Sequence, residues 1–316
     1  MATRPLPARP DRDQHVLTIA LSAHLGAHGG QRPLSPARYW AAYDQLAGDL
    51  TAAGASEDEQ LRQLEKRTTA AALHAAELEG QGIALLTPFH ASYPARFLDR
   101  LGTACPPLLY VAGGADLLAD PDRRRLAVVG SRDATDGELD TAGRAARAAV
   151  ARGWDVVSGG ARGVDAVALN AAIEHGGTVA ALLTDGVRRA LRKGALRRLV
   201  SDGRAVLASG VHPDAGFSVG NAMARNKLIY ALADLTYVAA VVEGEGGTWG
   251  GAQEALRRGF GRVAVNPEAR AAGALQALGA RPVAAPDELL AVVEEVPDAT
   301  AEPSSDDAPG QTRLFD

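Results

Sequence analysis

Aromatic side chains make up only 4% of the 316 residues, so the stacked platforms that often hold single-stranded nucleic acid have few candidates. Cysteine is nearly absent. The lone Cys105 excludes an internal disulfide and any cysteine-built zinc site, and it reads as a small buried hydrophobe. No apolar run reaches the length that spans a bilayer. The stretch "HVLTIALSAHLGA" behind Arg4 and Arg9 superficially resembles a secretory leader, but Asp11, Asp13, His15 and His24 interrupt it. No nucleophile, base and orienting acid converge in any motif, and His175 and His212 stand outside every pattern. These absences lead us to expect a cytoplasmic protein that is not an enzyme, with no metal, no cofactor and no membrane partner.

A uniform excess of acid is also missing. The net charge is −5, but residues 287–316 hold nine acidic residues (Asp287, Glu288, Glu294, Glu295, Asp298, Glu302, Asp306, Asp307 and Asp316) against Arg313 alone. That segment carries −8, so residues 1–286 sum to +3. The body is mildly basic, which suits a polyanionic partner, and the tail holds the acidity.

With 47% apolar residues, the chain can bury a large core. Residues 1–14 are rich in proline and charge and are expected to be loose. Residues 15–85 read as a small helical domain: "PARYWAAYDQLAGDL" and "SEDEQLRQLEKRTTAAALHAAELEGQG" space apolar residues at three and four, with Ser56 as an N-cap and Gly80 and Gly82 as a stop. From 86 to 293 short apolar strands alternate with helices. "RLAVVGS", "WDVVSG", "TVAALLT", "RAVLAS", "LTYVAAVVE" and "RVAVNP" are separated by helices predicted over 136–152, 163–176, 187–200, 222–233 and 250–259. This pattern implies an α/β fold with a Rossmann-like, doubly wound, mainly parallel sheet. Residues 294–316 are proline-rich and acidic, and disorder is expected there until the last few positions.

Three glycine-rich turns follow strands. Gly130, Ser131 and Arg132 lie in "VVGSRDATDGE"; Ser158, Gly159, Gly160, Arg162 and Gly163 lie in "VVSGGARGVD"; Gly244, Gly246, Gly247 and Thr248 lie in "VVEGEGGTWGGAQEA". In a doubly wound sheet such turns share the carboxyl edge, where helix N-termini present unpaired amides and a positive dipole end. The guanidinium forks of Arg132 and Arg162 suit phosphate. The pattern is not the dinucleotide fingerprint, because no G-x-G-x-x-G follows the first strand. Downstream, "GNAMARNKLIYALAD" sets Arg225, Asn226 and Lys227 near a helix start. There Asn226, a weak helix former, has a side chain able to bridge backbone or ligand. Arg188, Arg189, Arg192 and Lys193, followed by Arg197 and Arg198, form a secondary basic face that is either a phosphate track or a solvated surface.

These motifs, "GSR" at 130–132, "SGGARGVD" at 158–165, "RNK" at 225–227 and "VVEGEGGTWGGA" at 241–252, are similar in order and type to those of the DNA-processing protein A family. "YPARFLDRLGTACPPLLYVAGG" and "GALQALGARPVAAPDELL" extend the similarity over about 85–293. The resemblance implies a protein that binds single-stranded DNA in a basic pocket, forms a homodimer and helps to load the RecA recombinase in natural transformation or recombination. It also implies that Arg132 contacts DNA and that Ser158, Gly159, Arg162, Arg225 and Lys227 line the pocket. Two alternatives stay open, a nucleotide-binding sensor and a phosphoribohydrolase of the same superfamily. For the latter "MARNK" at 223–227 fits, while the nearest carboxylate after Thr248 is Glu254, about one helical turn from the required register. Finally, "QTRLFD" resembles the short peptide with which bacterial proteins dock on the sliding clamp, through Gln311, Leu314 and Phe315.

Overall fold

The computed structural model describes residues 10–25, 33–285 and 288–289. Within them the apolar runs become β1 (Ile83–Leu86), β2 (Leu109–Ala112), β3 (Arg125–Gly130), β4 (Asp155–Ser158), β5 (Val179–Leu182), β6 (Ala205–Ser209), β7 (Leu235–Ala240), β8 (Arg262–Val265) and β9 (Arg281–Pro282). They form one sheet in the order β1-β2-β6-β5-β4-β3-β7-β8-β9. Only β2 runs antiparallel to its neighbours. All the other pairings are parallel. Continuous apolar runs arise because both faces of the sheet are covered. Along β3, Leu126 and Val128 pack with Ala142, Ala145, Ala146 and Ala149 of α7 (Asp136–Ala151) and Ala168 and Ala172 of α8 (Val164–Glu174). The alternate residues Ala127 and Val129 belong to the opposite layer, with Leu228 and Ile229 of α11 (Val219–Leu232) and Ala252 of α12 (Gly246–Arg258). This is the doubly wound fold that the alternation implies.

The amino-terminal unit contains α1 (Arg12–Ser22), α2 (Pro36–Gln45), α3 (Glu59–Arg62) and α4 (Leu64–Gly80). Helix α1 starts ahead of residue 15, because Asp11 accepts the Gln14 amide at 3.1 Å and so caps it. At the other boundary, β1 already pairs with β2, so the sheet begins within the stretch read as helical. Short helices α5 (Ala95–Leu101) and α6 (Asp116–Ala119) lead into β3, while α13 (Ala272–Ala277) precedes β9. The helix expected over 187–200 is two, α9 (Val187–Leu191) and α10 (Gly194–Ser201). The break falls where Lys193 is extended ahead of Gly194, a residue with little helix propensity. Residues 294–316, including Gln311, Leu314 and Phe315, lie outside the described residues, as do residues 1–9. No helix among the described residues is long and apolar enough to cross a membrane.

Charge enters the core at the amino edge of β3. Arg125 is fully buried, and its guanidinium donates to the carbonyls of Leu117, Asp120 and Arg123. Burial, with the charge of Arg96 beside it, pulls its pKa down to about 10. The adjacent Asp234 carboxylate accepts from Arg96 at 2.9 and 3.1 Å, from Arg124 at 3.2 Å and from the Arg125 amide at 2.8 Å.

The helical unit meets the rest of the chain through polar contacts, one of which responds to acid. Trp40 Nε1 donates to the Cys105 carbonyl at 2.9 Å, and His15 Nδ1 lies 2.8 Å from Thr87 Oγ1. Burial, then the charge of His90, lowers the His15 pKa from 6.5 to about 4. The folded state therefore holds His15 neutral where the unfolded chain protonates it, and stability falls as pH drops from about 6.5 towards 4. A lower melting temperature at pH 5 than at pH 7 is expected, with His15→Gln flattening part of the slope. Parallel curves for wild type and variant would refute the assignment to His15.

Candidate nucleic-acid interface

Strand β3 is central, with β4 on one side and β7 on the other. The chain winds outward from it in both directions, so the turns after β3 and β7 diverge and leave a crevice at the carboxyl edge. The Ser131 amide donates to the Ala240 carbonyl at 3.0 Å and ties the two walls together. A register shift at Val129/Gly130 accompanies this contact.

The turn after β3 leans on the turn after β4. Gly163 adopts φ +81°, and a Cβ there would lie 2.5 Å from the Ser131 carbonyl oxygen and 2.8 Å from the Arg132 Cα. Only hydrogen fits. The Val164 amide donates to the same Ser131 carbonyl at 3.3 Å, which fixes the start of α8 against the first turn. Neither α8 nor α12 has a side-chain hydrogen bond at its N-cap, whereas α7 closes its own amides with a capping box of Thr135 and Glu138. The uncapped amides of α8 and α12 thus face the crevice side of the sheet, where an anion is favoured.

The side chains singled out by sequence divide into two groups. Arg132 is exposed and has no acidic partner among the described residues; its guanidinium carbon stands 5.7 Å from the centre of the Phe217 ring. Arg162 is exposed too, but it grips Asp133 at 2.8 and 3.3 Å. An ion pair this open to water contributes about 1 kcal/mol or less, so a phosphate can displace it. Ser158, by contrast, is buried, and its hydroxyl donates to the Val128 carbonyl at 2.7 Å. Arg225 is only 8% exposed, and it donates to the Leu182 carbonyl at 2.9 Å. Its guanidinium fills the space that a Cβ on Gly159 would occupy, so the second turn rests on it. Asn226 bridges backbone, donating to the Gly247 carbonyl at 2.9 Å and holding the third turn to α11. Lys227 faces the α12 side near Glu254, and burial lowers its pKa.

Asp165, absent from the expected site, lies beneath the second turn. Burial raises its pKa, opposed by the charge of Arg225 and by hydrogen bonds from the Ala161 and Gly159 amides and Ser158. The signal for it was its place in "SGGARGVD", at the first turn of α8, where a carboxylate also meets the helix dipole. Phe217 was missed as well, because a single aromatic in a glycine-rich loop has no periodic pattern. On the secondary basic face, Arg188 is held by Asp214 and by Gln81 Oε1 at 2.6 Å. Arg189 lies 4.0 Å from Asp185, while Arg192 and Lys193 are exposed at the break between α9 and α10. No group of three or more His, Cys, Asp or Glu suited to a metal occurs among the described residues.

The family model of DNA recombination-mediator protein A matches residues 84–294, a span that contains all three turns and α11. The chain belongs to this family. Membership places it among proteins of DNA processing. The structure of DNA processing protein A from Streptococcus pneumoniae is similar, with 21% identity and a TM-score of 0.63, covering 80% of this chain and 90% of that one. DNA processing protein A from Helicobacter pylori, whose structure was described for its single-stranded DNA binding mode, matches with 20% identity and a TM-score of 0.56, over 67% of this chain and 96% of that one. At these identities the likeness is one of fold. No curated protein sequence matches the chain.

Proposed function

We propose that the crevice between the turns after β3 and β7 binds single-stranded DNA. On this reading the amides of Arg132, Gly160, Gly163, Gly247 and Thr248 and the forks of Arg132 and Arg162 receive phosphate, while the amides of Ser131 and Gly159, already donated to the Ala240 carbonyl and the Asp165 carboxylate, hold their turns in shape. Arg225 and Asn226 act as positioning residues beneath and beside the turns. Phe217 supplies one aromatic face for a base. The observation that carries the proposal is the freedom of Arg132, a guanidinium without an acidic partner among the described residues, on a turn that packs against the start of α8, a helix without a side-chain cap.

In the cell, the protein then protects or processes single strands and passes them to RecA recombinase in natural transformation or recombination, working as a cytoplasmic homodimer without catalysis. Arg192 and Lys193 extend the phosphate track. The tail, through Gln311, Leu314 and Phe315, recruits the sliding clamp. The phosphoribohydrolase alternative has less support, since Glu254 sits 3.7 Å from Arg258 and beside Lys227. A nucleotide sensor remains the contrasting outcome of the test.

Fluorescence anisotropy with single-stranded oligonucleotides across a salt series tests this. Arg132→Ala is expected to weaken binding tenfold or more, about 1.4 kcal/mol, and to reduce the salt slope by about one. Unchanged affinity in that variant refutes the role of Arg132. Tight mononucleotide binding with no dependence on oligonucleotide length favours the sensor.

A further inference from the structure

Beside Arg132 the surface turns apolar. Phe217 is 52%, Val219 69% and Met223 66% exposed, and with Leu73 these are the exposed large hydrophobics among the described residues. Val219 and Met223 stand four apart on α11 and share a face, and Phe217 precedes the helix by two residues. A basic rim with an apolar strip along it suits a peptide that joins a run of carboxylates to a pair of large apolar side chains better than it suits a phosphate chain alone.

The sequence supplies such a peptide. After Leu289 come 27 residues with seven carboxylates and one arginine, and near their end stand the adjacent Leu314 and Phe315. Leu289 is itself fully buried and anchors the start of this segment. Strand β9 runs parallel to β8 and so delivers the chain to the carboxyl edge, the edge that carries the crevice. Extended, 27 residues reach about 90 Å, against a radius of gyration of about 20 Å for a folded chain of this length. The tether spans any path over the surface. Tethering also gives an effective concentration of about millimolar, so a weak contact suffices.

We infer that residues 290–316 dock in cis on the crevice, their carboxylates against Arg132 and Arg162 and Leu314 and Phe315 on the strip formed by Phe217, Val219 and Met223. The inference rests on reading the crevice as a polyanion site. Docking turns the tail into a competitor: a ligand must outbid a tethered anion, so short oligonucleotides and mononucleotides are excluded, and long single strands, which gain contacts along their length, are admitted.

Because the only natural cysteine is buried, a Ser305→Cys substitution in the full chain accepts a fluorophore at one place. The label is expected to be restrained at low salt and released by Arg132→Ala with Arg162→Ala, by Leu314→Ser with Phe315→Ser, and by an unlabelled 30-nucleotide single strand. In the unlabelled protein, Leu314→Ser with Phe315→Ser is expected to raise affinity for a 12-nucleotide and a 30-nucleotide strand by the same factor, about tenfold, because each must displace the tail; unchanged affinity for both overturns the inference. A label equally mobile in every variant overturns the inference and leaves the DNA reading standing. A label freed by the arginine substitutions but never by DNA supports docking and overturns the DNA reading instead. A restraint that only the arginine substitutions leave intact means that the tail sits elsewhere, and the inference falls.

Discussion

Gly163→Ala is expected to abolish single-stranded DNA binding and to destabilise the protein by roughly 2–5 kcal/mol, the sum of a backbone conformation nearly reserved for glycine and of steric overlap. The backbone there has φ +81° and ψ −133°. The added methyl would meet the Ser131 and Arg132 carbonyl oxygens at 2.5 and 2.7 Å, and these are backbone atoms that cannot swing aside. Relief would require the first turn to move away from the second, which breaks the Val164 amide contact with Ser131. Gly203→Ala is the control, since Gly203 has φ +70° with open space around it. That variant should lose only about 1–2 kcal/mol and bind DNA normally. Equal binding losses in both would mean that the turn-on-turn contact is not what shapes the crevice.

Asp234→Ala is expected to cost about 3–5 kcal/mol in urea denaturation, because it strands positive charge and one amide in or near the core. The Arg125 amide loses its acceptor outright and Arg96 keeps only the Leu232 carbonyl, while Arg124, with 55% of its side chain exposed, returns to water at little cost. Asp234→Asn, which keeps an acceptor for the amide, should lie between. Burial alone would raise the Asp234 pKa, but the hydrogen bond and charge of Arg96, the Arg125 amide and Arg124 outweigh it and hold the carboxyl below its usual 3.8. Its contribution is therefore complete above that pH and is lost as the solution is acidified through the folded value. A variant as stable as wild type at pH 7 would show that the arginines are sufficiently hydrated without it.

Strands β3 to β8 and the order of turns were legible because each of these strands lies in a short apolar run bounded by glycine, a pattern that parallel sheets impose through burial on both faces. β1 was not, since "IALL" follows a long helix without a flanking pattern of its own and becomes a strand only through pairing with β2. Among site residues, the exposure of Arg132 followed from a charge next to a strand end. The burial of Arg225 did not. An arginine near a helix start reads as solvated until the carbonyl of Leu182 and the bare backbone of Gly159 are brought to it from β5 and β4. The pairing of Arg162 with Asp133 is equally invisible, as it joins two loops 29 residues apart. Asn226 was readable as a bridge, but not as one to Gly247 rather than to a ligand.

The central place of β3 has a consequence for how the protein is made. Its amide at Arg125 pairs with Asp234, 109 residues further on. During synthesis at about 5–20 residues per second, that separation corresponds to roughly 5 to 20 s. Throughout that interval β3 can pair with β4 while its other side offers unpaired backbone to any passing strand. The nascent chain then has one wall of the crevice and no opposing one, so the proposed site is incomplete while the chain is most exposed to aggregation. Emergence of β7 ends both conditions in a single event, and ligand binding is therefore a reporter of completed folding.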